Sequence, residues 1–239
     1  MSETFGDHLH WRAAANARGW TVLLPGAGGL RVLDDDQHYF RAAARLNARG
    51  WHALVVDYVP AYRALEGRPD LPAGRKIAAV IQRAIEWMHV THPETRGRDG
   101  ALIGWSRGAE GVAAFVDDAA RVSALGIRAA AVFYPSVPHR VRLDNQVPLL
   151  VLTGTADDVA PWTDVSTWVR GRTPTAAAVD LRGFDGAHHG FDVESLTRRR
   201  VVRLLPLVGP KATLQFHPAA ARLATMALEE FLAAHLPRP

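Results

Sequence analysis

Residues 101–108, Ala-Leu-Ile-Gly-Trp-Ser-Arg-Gly, carry the strongest structural signal in this chain. They place the pattern Gly-x-Ser-x-Gly between an apolar, strand-like run and a helix-like stretch that continues to Val122. At such a junction the pattern forms a sharp turn that exposes the serine hydroxyl above the sheet. Glycine is needed on both sides of the turn because the backbone is crowded there and a Cβ would clash. The segment predicts a strand–turn–helix unit with Ser106 at its apex.

Strand-length apolar runs alternate with helix-length segments on both sides of this unit. The predicted strands are 21–24, 53–59, 101–105, 129–134, 149–153 and 176–181, and the predicted helices are 38–49, 76–90, 108–122, 162–170 and 219–236. The strands are apolar on both faces, which is expected when helices cover both sides of a parallel sheet. The 239 residues contain no repeat or linker-like stretch. The sequence therefore predicts one α/β domain with a mostly parallel sheet.

Composition argues against several functional classes. The net charge is only +4, Lys occurs only at positions 76 and 211, and the arginines are scattered along the chain. Nucleic-acid binding needs a clustered basic face, so we expect no nucleic-acid partner. The absence of Cys excludes disulfides and thiolate chemistry. Residues 1–19 lack an apolar signal-peptide core, and no stretch approaches the ~20 apolar residues of a membrane span. We therefore expect a cytoplasmic protein without a membrane partner. It is expected to be a monomer or a homodimer.

Two loops after predicted strands carry an acid and a histidine downstream of Ser106. Asp157 follows the strand 149–153, and His189 follows the strand 176–181. Parallel sheets place functional groups beyond the carboxyl ends of their strands. The order Ser, Asp, His along the chain is the α/β-hydrolase order of a catalytic triad. We predict that Ser106 is a nucleophile, that His189 takes its proton, and that Asp157 orients the imidazole.

Adjacent residues provide alternatives for both partners of Ser106. Asp158 is the alternative acid and His188 the alternative base, and side chains of neighbouring residues diverge, so one of each pair faces the serine. A metal site is a further alternative, although its residue spacing matches no strong ligand motif and no metal is expected. Its ligands would be Asp185, His188, His189 and Asp192.

The glycine-rich stretch Pro25-Gly26-Ala27-Gly28-Gly29 follows the first clear strand. Small residues allow backbone N–H groups to approach a developing oxyanion, and we predict Ala27 and Arg107 as the two donors. A nucleotide-binding loop is the competing interpretation. The stretch lacks the Gly-Lys-Ser/Thr ending of a phosphate loop and does not fit Gly-x-Gly-x-x-Gly, so an oxyanion hole is favoured.

Together these residues resemble the dienelactone hydrolase family of α/β-hydrolases over about residues 20–236. The shared features are Pro-Gly-Ala-Gly-Gly at 25–29, Ala-Arg-Gly-Trp at 48–51, Val-Val-Asp-Tyr at 55–58, the turn at 104–108, Val-Phe-Tyr-Pro at 132–135, Gly-x-x-Asp at 154–157 and Ala-His-His-Gly-Phe-Asp at 187–192. The family pattern favours Asp157 over Asp158 and His189 over His188. Two features depart from the best-known members. Ser106 replaces their cysteine, so the chain looks more like the serine-bearing branch, and Pro25-Gly26 replaces the His-Gly of many relatives.

The resemblance implies an α/β-hydrolase fold without metal or organic cofactor, acting on lactones or esters of small, often carboxylated molecules. We therefore expect a serine hydrolase that cleaves a small carboxylic ester or lactone through an acyl-enzyme. Two alternatives stay open. The same triad would also serve a thioester, peptide or acyl-transfer substrate, and a catalytically silent scaffold would act as a ligand sensor.

The expected pocket is open to solvent. Residues 135–147 are too few and too polar for an amphipathic lid helix, so no large lid domain is predicted. Arg107, Arg140 and Arg142 are candidate partners for a substrate carboxylate. Glu110 is expected to pair with a buried arginine, and a position near the site is the alternative. The apolar segment 201–208 is expected either to wall the pocket or to form a dimer contact.

Overall fold

A seven-stranded sheet forms the centre of the computed structural model, which describes residues 4–66, 73–137, 142–203 and 211–236. Its strands are β1 Leu9–Arg12, β2 Gly19–Leu24, β3 Trp51–Val56, β4 Gly100–Trp105, β5 Ile127–Phe133, β6 Leu149–Gly154 and β7 Val179–Phe184. Their order across the sheet is β1-β3-β2-β4-β5-β6-β7. The edge strand β1 is antiparallel to β3, and every other neighbouring pair is parallel. The predicted mostly parallel sheet is confirmed.

Helices cover both faces of this sheet. They are α1 His38–Ala48, α2 Tyr58–Glu66, α3 Arg75–Thr91, α4 Arg107–Val116, α5 Ala119–Ala124, α6 Trp162–Arg170 and α7 Pro218–His235. Helices α1 and α7 pack with Leu23 on one face, while α2 to α6 pack with Val22 and Leu24 on the other. Successive strand residues point to opposite faces, so two buried faces require continuous apolar strands.

Three predicted elements have different bounds in the structure. The predicted strand 53–59 ends at Val56, and Pro60 lies in the first turn of α2, where a missing N–H costs nothing. The predicted helix 108–122 is divided into α4 and α5, because Asp118 caps α5 by accepting the Arg121 N–H. The predicted strand 176–181 is β7, which begins three residues later.

Two further strands, absent from the prediction, form a small antiparallel hairpin of β8 Arg200–Arg203 and β9 Lys211–Leu214. Val202 packs against a cluster of Val193, Leu196 and Leu214. This part of the predicted apolar segment 201–208 therefore contacts the chain's own core. The remainder, 204–208, lies outside the described residues.

The described residues between β5 and β6, at 134–137 and 142–148, form no helix, and residues 138–141 lie outside the description. Within the four described ranges, no helix combines the length and the hydrophobicity that crossing a bilayer requires.

Candidate active site

Ser106 lies at a strained turn between β4 and α4. Its backbone angles are φ 51° and ψ −113°, a conformation that costs free energy for any residue with a Cβ. A Cβ on Gly104 would lie 2.7 Å from Cα of Ala109, and one on Gly108 would lie 2.3 Å from the carbonyl oxygen of Pro25. The crowding expected from the Gly-x-Ser-x-Gly pattern is therefore present on both sides of the serine.

The structure brings the three predicted side chains into one line of hydrogen bonds. Ser106 Oγ lies 3.0 Å from His189 Nε2, and His189 Nδ1 lies 2.8 Å from Asp157 Oδ2. The Asp157 carboxylate is fully buried, and its other oxygen accepts the backbone N–H groups of Val159 and Ala160, each at 2.8 Å. Because both oxygens accept hydrogen bonds, the carboxylate is held in one orientation towards the imidazole.

Backbone hydrogen bonds hold the loops of Asp157 and His189 side by side. The Thr155 N–H donates to the Phe184 carbonyl at 2.9 Å, and the Ala156 N–H donates to the Ala187 carbonyl at 3.1 Å. The loops follow β6 and β7, which are parallel neighbours in the sheet. Residues 32 positions apart in sequence are thereby placed within hydrogen-bond distance.

The two alternative residues have other partners. The Asp158 carboxylate accepts the backbone N–H of Thr213 at 2.8 Å and its hydroxyl at 2.7 Å. Burial raises the pKa of Asp158, but these hydrogen bonds outweigh burial and leave the pKa below its ordinary value. His188 Nδ1 donates to the carbonyl of Ala156 at 2.7 Å. Neither side chain is therefore directed at Ser106.

The side chains of the alternative metal site do not converge. Asp185 accepts from the Thr155 hydroxyl, Asp192 accepts from an indole and a phenol, and the two histidines bind the partners given above. In the part of the chain that the structure describes, no group of three or more His, Asp or Glu side chains is arranged to hold a metal ion.

The glycine-rich loop after β2 lies beside Ser106, since a Cβ on Gly26 would be 3.6 Å from the Ser106 Cβ. The Gly26 N–H already donates to the Tyr39 hydroxyl at 2.9 Å. The N–H groups of Ala27 and Arg107 make no hydrogen bond to any described residue. Arg107 is also the first residue of α4, where the helix dipole favours negative charge. Both N–H groups are therefore available to an oxyanion beside Ser106.

A buried carboxylate that sequence reasoning did not place at the site lies behind these residues. Asp192 Oδ2 accepts from Trp105 Nε1 at 2.8 Å, and Asp192 Oδ1 accepts from the Tyr134 hydroxyl at 2.8 Å. His38 Nε2 lies 3.5 Å from Asp192 Oδ2. Burial raises the pKa of Asp192, but His38 and the donated hydrogen bonds outweigh it and hold the pKa below its usual range. Asp192 is therefore an anion at neutral pH.

The sequence contained a signal for this group. Tyr134 and Asp192 belong to the family-like stretches 132–135 and 187–192, and an acid directly after the apolar Phe191 is unusual for a buried segment. Trp105 stacks on Phe133 with ring centroids 5.0 Å apart. Its indole N–H also holds the side chain in place by donating a hydrogen bond to Asp192.

The structure bears on two expectations about charged residues near the pocket. Arg142 donates to the carbonyls of Gly171 and Arg172 just after α6, so its guanidinium is already engaged by backbone oxygens. The charge of Arg107 acts on Glu110, and the expected pairing of Glu110 with a buried arginine stays a prediction. Arg140 lies outside the described residues.

Glu110 borders a surface cavity of about 300 Å³ between α3, α4 and α6. Burial raises the pKa of Glu110, and the nearby charge of Arg107 lowers it only in part. Apolar side chains of Leu143 and Trp168 line the same cavity.

Comparison with known proteins places this site in a family. Residues 39–236 match the sequence model of the dienelactone hydrolase family. The fold is similar to that of the dienelactone hydrolase-like promiscuous phosphotriesterase P91 from metagenomic libraries, at a TM-score of 0.68 and 17% identity over 97% of this chain and 95% of that one. It is also similar to the carboxylesterase Cest-2923 from Lactobacillus plantarum, at a TM-score of 0.67 and 16% identity over 95% and 92% of the two chains.

The dienelactone hydrolase from Anabaena variabilis has a TM-score of 0.65 and 15% identity over 95% of this chain and 91% of that one. At such identities the structural likeness shows a shared fold. We found no match among curated proteins. The family match covers most of the chain, including Ser106, Asp157 and His189, and shows that this protein belongs to the dienelactone hydrolase family.

Proposed function

We propose that this protein is a serine hydrolase that cleaves small carboxylic esters or lactones. The observation that carries the proposal is the hydrogen-bonded line from Ser106 Oγ through His189 to the buried Asp157. A serine hydroxyl is too weakly acidic to attack a carbonyl unless a base removes its proton. The imidazole is within reach of that proton, and the carboxylate fixes the imidazole tautomer that can accept it.

In the acylation step Ser106 Oγ attacks the carbonyl carbon while His189 Nε2 takes the hydroxyl proton. The carbonyl oxygen becomes an oxyanion, and the N–H groups of Ala27 and Arg107 are the donors that stabilise it. His189 then gives its proton to the alkoxy oxygen as the ester bond breaks, which releases an alcohol and leaves an acyl-Ser106. For a lactone, the hydroxyl so formed stays attached to the acyl group.

In the deacylation step water attacks the acyl carbon while His189 again acts as base. The proton then passes to Ser106 Oγ, which restores the enzyme and releases the carboxylic acid. Asp157 stabilises the imidazolium in both steps and keeps its own charge throughout.

Reaction with a fluorophosphonate probe, together with hydrolysis of p-nitrophenyl acetate, tests the proposal. An activated serine forms a covalent phosphonyl adduct, which adds mass to the peptide containing Ser106. Heat-unfolded protein is the control because it retains the serine but loses the hydrogen-bonded line. A folded protein that neither reacts nor hydrolyses the ester would instead support the silent-scaffold alternative.

Asp157 and Asp158 are a matched pair for testing the acid. Asp157→Asn is expected to reduce kcat by up to ~10⁴-fold, because an amide at this position favours the wrong imidazole tautomer. Asp158→Asn removes a partner of Thr213 and not of His189, so a loss of only a few fold is expected. Steady-state kinetics of both variants with one ester measure this, and the reverse ranking would move the acid to Asp158.

Acyl-chain length tests the expected substrate size. Each methylene that enters an apolar groove adds about 0.8 kcal/mol of binding free energy. The described residues between β5 and β6 supply no amphipathic helix that would build such a groove over Ser106. We expect kcat/KM to be higher for p-nitrophenyl acetate and butyrate than for the palmitate ester, with no activation at an oil–water interface. A maximum at palmitate would contradict the open pocket.

A further inference from the structure

Asp192 is a buried anion that has no part in the proton transfers described above. Its carboxylate is surrounded by three buried side chains from three separate elements, Trp105, Tyr134 and His38. Removing a charge from water is costly unless donors compensate for it, so an anion retained at such a position needs a reason. Its partners indicate what that reason is.

Each partner of Asp192 leads to a different part of the catalytic machinery. Trp105 is the residue directly before Ser106. The Tyr134 ring lies against the His189 ring, with centroids 4.4 Å apart. His38 precedes Tyr39, whose hydroxyl holds the Gly26 N–H beside the nucleophile.

The contact with Tyr134 also bears on the backbone around Ser106. The Ser106 N–H donates to the carbonyl of Phe133, the residue before Tyr134. Tyr134 itself has φ 36°, in the left-handed region that its side chain disfavours. The hydrogen bond from its hydroxyl to Asp192 helps to hold this strained residue in place.

We propose that Asp192 is a positioning residue, a single buried carboxylate that holds the nucleophile turn, the base and the oxyanion loop in register. The inference rests on the proposed hydrolase function. Asp192 contacts no reacting atom and acts through Trp105, Tyr134 and His38.

The side chains around His189 show how Asp192 acts on it. Asp157 lies at Nδ1, Ser106 at Nε2 and Tyr134 over the ring. From β9 the contact with His189 is made by Leu214, which carries no charge. The neighbours Asp158 and His188 are bound to Thr213 and Ala156. Tyr134 is therefore the side chain that links the position of His189 to Asp192.

Asp192→Asn in the full chain tests this role. The amide oxygen can accept from Trp105, but the amide N–H then faces the Tyr134 hydroxyl, which has to accept instead of donate, and the charge is lost. We expect kcat to fall about 10- to 100-fold, the scale of a small misplacement of reacting groups, with KM changed by less than about threefold. Asp35→Asn is the matched control, because Asp35 is a buried carboxylate bonded to Gln37 and Arg41.

Tyr134→Phe is a second test, for use if Asp192→Asn does not fold. It removes only the hydroxyl that bonds to Asp192 and leaves the ring against His189. It should lower kcat by a smaller factor. The imidazole proton between His189 and Asp157, followed by NMR, reports ring position without substrate and should shift in Asp192→Asn and Tyr134→Phe alone.

Failure of the two proposals is distinguishable. If the wild-type protein hydrolyses no ester, the hydrolase function is overturned. The NMR resonance of the imidazole proton in the variants still tests the role of Asp192, because it needs no substrate. If the wild type is an active esterase, two results would overturn the role of Asp192. One is that Asp192→Asn and Tyr134→Phe keep the wild-type kcat and the wild-type resonance of the imidazole proton. The other is that Asp35→Asn changes both equally.

Discussion

Replacing Ser106 with Ala is expected to lower kcat for ester hydrolysis by about 10⁶-fold, the scale of nucleophile removal from a serine triad. Without Oγ no acyl-enzyme forms, so His189 and the oxyanion donors have no covalent intermediate to serve. The residual rate would come from water attack assisted by binding alone. Fluorophosphonate labelling should be lost in parallel, because the probe reports the same oxygen.

The folded state of the Ser106→Ala variant should be unchanged. Alanine has the same Cβ as serine, so the strain at φ 51° is neither relieved nor increased. The side chain loses one hydroxyl that bonds only to His189 among the described residues. Thermal unfolding of the variant should match that of Ser166→Ala, a control that removes a buried hydroxyl from α6. An Ala variant that keeps a tenth of wild-type activity would show that Ser106 is not the nucleophile.

The sequence predicted well those helices whose apolar residues repeat with a clear helical period. Helix α6 was predicted at its observed bounds, 162–170, and α1 within one residue of its end, because both have clear apolar periodicity. The edge strand β1 and the hairpin of β8 and β9 were not predicted. Each of these strands has only four residues, too few for a clear alternation of apolar and polar residues, and β1 is defined by pairing with β3, which is distant in sequence.

The same distinction applies to the candidate site. Ser106, Asp157 and His189 could be predicted because chain order and the carboxyl ends of parallel strands restrict where such groups lie. The role of Asp192 could not, since its bond to Trp105 joins residues 87 positions apart and depends on how two loops pack. The contacts of Arg142 could not be predicted for a related reason, because only tertiary structure brings the Gly171 and Arg172 carbonyls to its guanidinium.

Substitutions of His189 and of its neighbour His188 are expected to differ widely in their effect on kcat. His189→Gln should lower kcat about as much as loss of the nucleophile, near 10⁶-fold, because removal of either member disables the unit. Glutamine is similar in size to histidine, but its amide cannot take the Ser106 proton. His188→Gln should cost only a few fold, since His188 Nδ1 supports the Ala156 carbonyl and not the serine.

Dependence on pH separates the two histidines further. The wild-type kcat/KM should rise with pH through one ionisation, because the base must be unprotonated before it accepts the serine proton. His188→Gln should keep this rise, whereas the residual activity of His189→Gln should lose it, since the group that titrates is gone. Chelators should leave both profiles unchanged, because no step uses a metal. Equal small losses in the two variants, with the same pH profile, would reject the Ser106–His189–Asp157 mechanism. A severe loss confined to His188→Gln would instead assign the base to His188.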